Sequence, residues 1–202
     1  MGEALFTGWR TQDQAFDIAP PRLSDIPQLL VTAKALALTP EGWRSLIASG
    51  SVVAAKSQTF SGLYVADHYS FAYEGERLQE LRAARSVLCN RFKLEEESVG
   101  FGAEVVIAAE WQIGDLRAHL LRALLRNVGL HYRHLFRFCR KDNPAELETL
   151  KGEGWRCFQE EEENCYLMLD VAKALRGLAS RLVLRLQPRR VTGGARVGRQ
   201  VS

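Results

Sequence analysis

The chain has 202 residues, of which 47% are hydrophobic and 25% are charged. This balance is typical of a soluble globular protein and excludes collagen-like and wholly disordered classes. The length suits one domain of about 150 residues with short extensions. No apolar stretch reaches the ~18 residues that a membrane helix needs, and the first ten residues lack the pattern of a secretory signal. We therefore expect a cytoplasmic protein that does not enter a membrane.

The four cysteines show no recognisable metal-binding or redox spacing. They lie at positions 89, 139, 157 and 165, without a Cys-x-x-Cys pair and without paired histidines at zinc-ligand spacing. We therefore expect neither a metal site nor a disulfide framework, as is usual for a chain in a reducing compartment.

The charges are distributed unevenly along the chain. Eight cations and no acid follow Asp170, so residues 1–170 carry 19 cations against 24 anions. The stretch after Pro188 contains three glycines, four arginines and few apolar residues, which predicts disorder. This basic tail is interpreted either as a contact for nucleic acid or as a solvated end without a partner.

Hydrophobic periodicity and turn residues predict the elements in the first half of the chain. They are a strand at residues 16–22, two helices that begin after Ser24 and Thr39, strands at residues 51–55 and 63–73, a helix at residues 76–88 and a strand at residues 99–109. The last of these strands is uncharged except for Glu104, as expected for a strand buried on both faces.

The second half continues the alternation of strands and helices. The prediction is a helix at residues 116–128 that follows Gly114 and Asp115, a strand at residues 134–139, a helix at residues 144–151, strands at residues 155–159 and 165–171, and a helix at residues 172–186. This order predicts an α/β or α+β domain around a mixed sheet. We place the domain at residues 16–171, between an N-terminal extension at residues 1–15 and a basic C-terminal helix and tail at residues 172–202.

One local motif is characteristic of a known family. The residues Asp142, Asn143, Pro144 and Ala145 are followed by Gly154 and Trp155, the glycine standing eleven residues after Asn143. Here the chain resembles the GCN5-related N-acetyltransferase (GNAT) superfamily, in which Asn-Pro-Ala ends the fifth strand and a Gly-aromatic pair precedes the last hairpin. The order of the predicted elements matches that family over residues 16–171. The resemblance implies a mixed, mostly antiparallel central sheet flanked by helices.

The resemblance also implies an activity, which is transfer of an acyl group from acetyl-CoA, or another acyl-CoA, to a small-molecule or peptide amine. No metal takes part in that reaction. In the family, the pantetheine arm pairs with the backbone of the fourth strand, and the pyrophosphate is held where free amides and the helix dipole attract anions. By resemblance, the residues that bind the cofactor are Val105, Ile107, Ala109, Gln112, Ile113, Gly114, Asp115, Arg117 and Asn143.

Two departures from the family pattern raise an alternative. The family has small residues where this chain has Asp115 and Arg117. A carboxylate at the helix start would cap the helix and repel phosphate, although Arg117 could donate to it. The family tyrosine that protonates the leaving thiolate is replaced by Leu150, with Tyr132 and Tyr166 as substitutes or as ordinary packing residues. The alternative is a catalytically degenerate binding or regulatory module.

Glu104 is the candidate catalytic residue. Burying an unpaired carboxylate is costly, and burial raises its pKa toward the working pH, as a general base requires. Histone-modifying members of the family carry a glutamate near this point. The competing interpretation is that Glu104 pairs with an arginine or lies on an exposed edge.

Three further features leave alternatives open. The helix at residues 76–88 lengthens one connection of the fold and is interpreted either as a lid or as a lateral cover of the sheet. The acidic run at residues 160–163 is a solvated turn or an attractor of a cationic amine. Members of the family often pair through their late strands, so a homodimer is also considered.

Overall fold

The computed structural model describes residues 7–11, 14–56, 60–108 and 116–186, with side chains described for residues 17–56, 60–108 and 116–178. Within these ranges the strands are β1 (Thr7–Thr11), β2 (Gln14–Ala19), β3 (Val52–Lys56), β4 (Phe60–Ala66), β5 (Val99–Phe101), β6 (Ala103–Ile107), β7 (His134–Arg140), β8 (Arg156–Glu160) and β9 (Asn164–Asp170). The helices are α1 (Ile26–Thr32), α2 (Pro40–Ala48), α3 (Tyr69–Ala72), α4 (Gly75–Phe92), α5 (Leu116–Val128), α6 (Pro144–Glu153) and α7 (Val171–Leu186).

The strands form two adjoining sheets. The first has the order β1-β2-β3-β4-β6 and is antiparallel throughout, and the second has the order β5-β7-β9-β8. In the second sheet β5 runs parallel to β7, while the other pairs are antiparallel. The predicted fold class, a mixed and mostly antiparallel sheet flanked by helices, is therefore confirmed. The first sheet begins at Thr7, so residues 7–11 of the predicted N-terminal extension pair with β2.

The strand predicted at residues 99–109 is wrong in one respect, because it is two strands that separate at Gly102. Gly102 has φ +105°, a conformation that side chains rarely adopt, and its N–H donates to the carbonyl of Phe136 at 3.0 Å. A Cβ at Gly102 would lie 2.5 Å from the ring of Tyr69. The chain therefore passes from the second sheet to the first at a position that only glycine fits. The apolar pattern continues through the break and gives no sign of it.

The strand predicted at residues 63–73 is also shorter than expected, since β4 ends at Ala66 and α3 follows. Asp67 turns the chain with φ 58°, and its carboxylate accepts the N–H of Phe101 at 2.9 Å and the hydroxyl of Tyr132 at 2.8 Å. Its own N–H donates to the carbonyl of Gly102 at 2.6 Å. One side chain thus ties the end of β4 to the break between β5 and β6.

Helices cover the two sheets on defined faces. One face of the first sheet packs on α1 and α2 through Leu29, Trp43 and Leu46, and the other packs on α5. The core on the α5 side of the first sheet continues to α7, which contributes Ala174 and Leu178. An aromatic cluster joins α3 and α4 to the second sheet and includes Tyr69, Phe101, Phe136, Phe158 and Tyr166. The helix predicted at residues 76–88 is therefore a packed cover of the sheet rather than an isolated lid.

Local interactions at the two ends of α6 explain why this helix and its motif could be predicted from the sequence. The Asn143 side chain accepts the N–H of Glu146 at 3.2 Å, Pro144 stands at the first helical position, and Gly154 ends the helix with φ +104°. Each of these residues favours the conformation that it adopts.

A disulfide joins Cys157 of β8 to Cys165 of β9, whose Cα atoms lie 6.2 Å apart. The expectation of no disulfide is therefore wrong. The eight-residue separation spans a hairpin and matches no redox motif, so only strand pairing brings the two sulfurs together. Cys89 and Cys139 are free and buried.

The C-terminal helix forms as predicted, in the described part of the chain, up to Leu186. The basic tail from residue 187 onward lies outside the described residues. Among the helices that are described, none has the length and apolar composition needed to cross a membrane.

The break at Gly102 predicts that Gly102→Ala destabilises the protein by about 2–5 kcal/mol, because the new methyl group adds backbone strain and a clash with Tyr69. Urea unfolding measures the loss. Gly152→Ala is the matched control, since a Cβ there meets nothing within 4 Å and alanine favours the helix. Equal stability of the Gly102 and Gly152 variants would contradict this description of the break.

The disulfide predicts a specific pattern of thiol labelling. Protein purified in air and unfolded without reductant should bind two equivalents of iodoacetamide, at Cys89 and Cys139, and four equivalents after reduction. Mass spectrometry of the tryptic peptides identifies the linked pair. Four reactive thiols before reduction, or a link that includes Cys139, would contradict the assignment.

Candidate active site

A cleft opens where β6 and β7 diverge beyond Gly102. The Gly102 N–H to Phe136 carbonyl bond is the last that joins the two strands in the described residues. Beyond it, β6 pairs only with β4, and β7 pairs only with β9. The backbone edge of β6 therefore faces this space, whereas on the β7 edge the N–H of Phe138 donates to the Tyr69 hydroxyl at 3.2 Å. Such an edge offers amide and carbonyl groups to an extended molecule.

The cleft has a volume of about 540 Å³ and a strongly polar lining. Its walls include Glu104 and Val105 of β6, Phe138 and Arg140 of β7, and Asn143 at the start of α6. Two more cations, Arg117 and Arg137, also line it. The space thus combines a strand edge with fixed charges of both signs.

Five of the charged side chains form a continuous series of ion pairs, which we call the cleft ion chain: Glu104, Arg137, Glu146, Arg117 and Glu153. Arg137 Nη2 lies 3.0 Å from Glu104 Oε2, and Arg137 Nη1 lies 3.5 Å from Glu146 Oε1. Arg117 Nη2 lies 3.0 Å from the same Glu146 oxygen, and its Nε lies 2.5 Å from Glu153 Oε1. The cleft ion chain therefore connects β6, β7, α6 and α5.

Arg137 is the buried centre of the cleft ion chain. The residue is 3% exposed, and its guanidinium lies 5.8 Å from the centre of the Trp155 ring. A charge at this depth is tolerated only with partners, which Glu104 and Glu146 supply from opposite sides. The charges that line the cleft itself balance, since Glu104, Asp142 and Glu146 stand against Arg117, Arg137 and Arg140.

Glu104 combines burial with an ion pair. The sequence left open a buried carboxylate that acts as a base or a carboxylate paired with an arginine, and each interpretation describes part of the environment of Glu104. Burial raises the pKa of Glu104 above its ordinary value; the Arg137 guanidinium acts in the opposite direction, and Glu146 adds to the rise. Among the described residues, Arg137 engages only the Oε2 atom of the carboxylate. A glutamate with a raised pKa at the edge of a cleft has the properties of a general base.

An aromatic surface lies beside Glu104. Tyr73 and Phe138 are half-buried, with ring centres 6.2 Å apart, and burial together with the charge of Glu104 raises the pKa of Tyr73. The Arg77 guanidinium from α4 lies 4.5 Å from the centre of the Phe138 ring. Arg77 therefore already supplies a cation to the Phe138 ring, and the Tyr73 ring is the second aromatic group beside the carboxylate.

His68, by contrast, is not suited to proton transfer. It is 2% exposed, and burial followed by the charge of Arg137 lowers the pKa of His68 to about 3. Its ring hydrogen-bonds to the backbone of Gly102. The imidazole is therefore neutral at neutral pH and supports the break between β5 and β6.

The structure brings several of the residues predicted to bind the cofactor to this cleft. Val105 lines it, Ile107 follows on the same strand, and Asn143 stands at its rim, although its side chain caps α6. Arg117 also lines the cleft, but its guanidinium is held by Glu146 and Glu153. The other predicted binding residues, Ala109, Gln112, Ile113, Gly114 and Asp115, lie outside the described residues.

Neither Tyr132 nor Tyr166 takes the place of the missing family acid in the described part of the cleft. Leu150 is fully buried in the core. Tyr132 donates its hydroxyl to Asp67, and Tyr166 donates its hydroxyl to Glu161. Burial, with the bond to Glu161, raises the pKa of Tyr166 to about 12. Both hydroxyls are therefore committed away from the cleft.

Sequence reasoning missed Arg137, Glu146 and Glu153. Two signals could have found them. Arg137 interrupts the apolar core of β7 in the same way as Glu104 interrupts β6, and Glu146 and Glu153 stand seven residues apart on one face of α6. Their partnership with Glu104 depends on the packing of distant elements.

One group of potential metal ligands comes together within the described residues, at the β8–β9 hairpin rather than in the cleft. Ligand atoms of Cys157, Glu160 and Cys165 lie within 4.8 Å of one another. Because the two sulfurs are bonded to each other, they cannot act as thiolate ligands unless the disulfide is reduced.

Comparisons with known proteins establish the class of fold. No family model and no curated protein matches the sequence. A GNAT-family acetyltransferase structure from Listeria monocytogenes matches with a TM-score of 0.55 and 8% identity, over 81% of this chain and 99% of that one. The structure of yncA from Salmonella typhimurium with its cofactor acetyl-CoA matches with a TM-score of 0.53 and 9% identity, over 77% of this chain and 94% of that one.

A third structure, the GNAT-family acetyltransferase from Streptococcus pneumoniae, matches with a TM-score of 0.50 and 14% identity, over 76% of this chain and 97% of that one. At these identities the likeness concerns the fold. The chain therefore has the fold of the GNAT superfamily, and the resemblance seen in its sequence is confirmed at that level.

The cleft ion chain predicts a pH-dependent cost of removing Arg137. Arg137→Met leaves Glu104 and Glu146 without their buried partner, so we expect a loss of about 3–5 kcal/mol at pH 7.5. Without Arg137, the pKa of Glu104 in the folded variant rises further above its value in the unfolded chain. The folded variant then binds a proton more readily than the unfolded chain, so the loss of unfolding free energy should shrink as the pH falls toward 5. Urea unfolding at both pH values measures it.

Two variants serve as controls for this prediction. Glu104→Gln combined with Arg137→Met should restore part of the stability, because one buried charge is removed with its partner. Arg140→Met breaks a solvent-exposed pair with Asp142 and should change stability by less than about 1 kcal/mol. An Arg137 loss that is the same at both pH values would contradict the buried pairing.

Proposed function

We propose that the protein is an acyl-CoA-dependent N-acyltransferase that moves an acyl group, most simply acetyl, directly to an amine. The observation that carries the proposal is the cleft itself, in which a free strand edge lies beside a carboxylate of raised pKa. The shared fold of yncA, solved with its cofactor acetyl-CoA, supports the choice of donor. The donor supplies a thioester carbonyl that is open to attack by an amine.

The backbone of β6 would hold the donor. The β6 edge that faces β7 offers the amides and carbonyls of Val105 and Ile107 to an extended chain such as pantetheine, as in the addition of a strand to a sheet. Fixed backbone groups would place the thioester next to Glu104, the residue before Val105 on the strand. Asn143 stands at the rim of the same cleft, where it would contact the donor through its backbone, because its side chain caps α6.

Glu104 would act as the general base. It accepts a proton from the incoming ammonium, and the neutral amine forms a bond to the carbonyl carbon while the bond from carbon to sulfur breaks. The second proton of the nitrogen passes to the departing sulfur. The reaction therefore balances without a tyrosine that acts as an acid. Arg137 holds Oε2 of Glu104 in place, which is a positioning role.

The acceptor would be a cationic amine on a small molecule or a peptide. The carboxylate of Glu104 and the Tyr73 ring beside it both favour an ammonium group over an anionic one. The acidic residues of the β8–β9 turn, Glu161 to Glu163, line a groove beside α4 and would add to this attraction. A cytoplasmic location, a homodimer and a nucleic-acid contact of the tail remain predictions of the sequence.

The second candidate function is a binding or regulatory module that no longer transfers acyl groups. Arg117 favours it, because the cation expected to contact a phosphate is instead held by Glu146 and Glu153. Such a module would bind acyl-CoA, or a related ligand, without releasing free coenzyme A.

The role of Glu104 predicts that Glu104→Gln lowers kcat at least about 100-fold while acetyl-CoA binding is retained. Turnover is followed as free thiol released from acetyl-CoA in the presence of spermidine or an oligolysine peptide, and binding is followed by calorimetry. Since the base works in its ionised form, wild-type kcat/KM should fall as the pH drops through the raised pKa of Glu104.

Glu148→Gln is the matched control, because Glu148 lies on the exposed side of α6 and pairs only with Lys151 among the described residues. It should leave turnover unchanged. A Glu104 variant with the wild-type rate and pH profile would contradict the assignment of the base. Binding without turnover by the wild-type protein, across both amines, would favour the module.

A further inference from the structure

A second cavity lies at the C-terminal end of α6, whereas the cleft lies at the start of this helix. It has a volume of about 460 Å³, and the end of α6, the start of β8, the end of β9 and the first two turns of α7 enclose it. It shares no lining residue with the cleft. Glu153, bound to Arg117, stands in its wall, so the cleft ion chain separates the two spaces. We call this space the α7 cavity.

Three cations from three different elements surround the α7 cavity. They are Lys151 at the end of α6, Arg156 at the start of β8 and Lys173 in the first turn of α7. Lys151 pairs with Glu148 on its own helix, whereas the Arg156 and Lys173 side chains form no ion pair with another described residue. Two exposed cations thus converge on one cavity without a counter-charge of their own.

The acids that line the α7 cavity are already engaged. Glu153 is held by Arg117, and Asp170 uses its Oδ1 to accept the N–H of Lys173 at 2.8 Å as a helix cap. The cap bond does not cancel the charge of Asp170, so Arg156 and Lys173 together with this acid leave a single positive charge at the cavity. This contrasts with the body of the chain, since residues 1–170 carry 24 anions against 19 cations.

Apart from His134 at the start of β7, the rest of the lining is apolar and leaves room for a ligand. Trp155, Ala174 and Leu178 are 2%, 7% and 5% exposed, and they form the inner wall together with Met168. Gly177 faces them from α7, and a Cβ built there meets no atom within 4 Å. A larger side chain at Gly177, which lines the cavity, would therefore have room to extend from α7.

We propose that the α7 cavity binds a small amphipathic carboxylate, with its apolar body against Trp155 and Leu178 and its carboxylate at Arg156 and Lys173. A volume of this size lies within the range of small-molecule sites, which combine an apolar wall with a few placed charges. A neutral apolar molecule leaves the two cations unpaired, and an ammonium is repelled by them.

The first experiment uses three probes of equal chain length and different charge. Calorimetric titration of the full chain with sodium octanoate should give saturable one-to-one binding. Octan-1-ol should bind at least tenfold more weakly, and octylammonium should not bind. Equal affinity for octanoate and octanol, or no octanoate binding at millimolar concentration, would overturn the proposal.

Two pairs of variants test the location of the site. Gly177→Phe fills the cavity and should abolish octanoate binding, whereas Gly152→Phe adds the same bulk to the exposed face of α6 and should not. Arg156→Glu combined with Lys173→Glu should lose octanoate and gain octylammonium. Arg82→Glu, on the exposed face of α4, is the control for charge and should change neither affinity.

The inference is independent of the proposed acyltransferase activity. Addition of acetyl-CoA should leave the octanoate affinity within twofold of its original value, because the two spaces share no residue. Displacement of octanoate by acetyl-CoA, or octanoate binding that survives both Gly177→Phe and the double charge reversal, would show that the carboxylate binds elsewhere and would overturn the proposal.

Discussion

The site depends on a constraint at Gly102, where the backbone adopts φ +105° and the Tyr69 ring leaves no room for a side chain. At this point the chain leaves the second sheet and joins the first, so β6 and β7 separate and their facing edges are exposed to a cleft. Asp67 fixes the same point from β4. A continuous strand would close the sheet and leave no space beside Glu104. The function proposed for the protein therefore rests on one residue without a side chain.

The separation of β6 and β7 places charged side chains inside the fold, and the free-energy cost of burying them needs an explanation. Arg137 is buried, and replacing a buried ion pair by apolar residues is often neutral or stabilising, so its presence is weak evidence for a role in stability. It is better explained by the cleft, since Arg137 fixes one oxygen of Glu104 while burial keeps the pKa of that carboxyl high. The cleft ion chain continues from Arg137 through Glu146 to Arg117 and links the strand edges to α5 and α6. The same residues thus hold the walls of the cleft and set its charge.

Local features of the fold were predictable from the sequence, and long-range ones were not. The cap at Asn143, the proline after it and the glycine at the end of α6 each act within a few residues, which made both the helix and the family resemblance readable. The break at Gly102 depends on the packing of Tyr69, 33 positions away, and the apolar pattern continues through it. Glu104 was identified as an isolated charge, but its partner Arg137 also lies 33 positions away, and pairing across two strands cannot be inferred from spacing. The disulfide between Cys157 and Cys165 was missed for the same reason, because it requires the register of a hairpin.

The central claim is that the free edge of β6 receives the acyl donor. Backbone amide hydrogen exchange, measured with and without saturating acetyl-CoA, tests it most directly. The account predicts that the cleft-facing amides of the two segments, Val105 and Ile107 of β6 and Arg140 of β7, become at least tenfold more protected, while those of β3, inside the first sheet, stay unchanged. Acetyl-CoA binding that leaves the exchange of these two segments unaltered would contradict the claim.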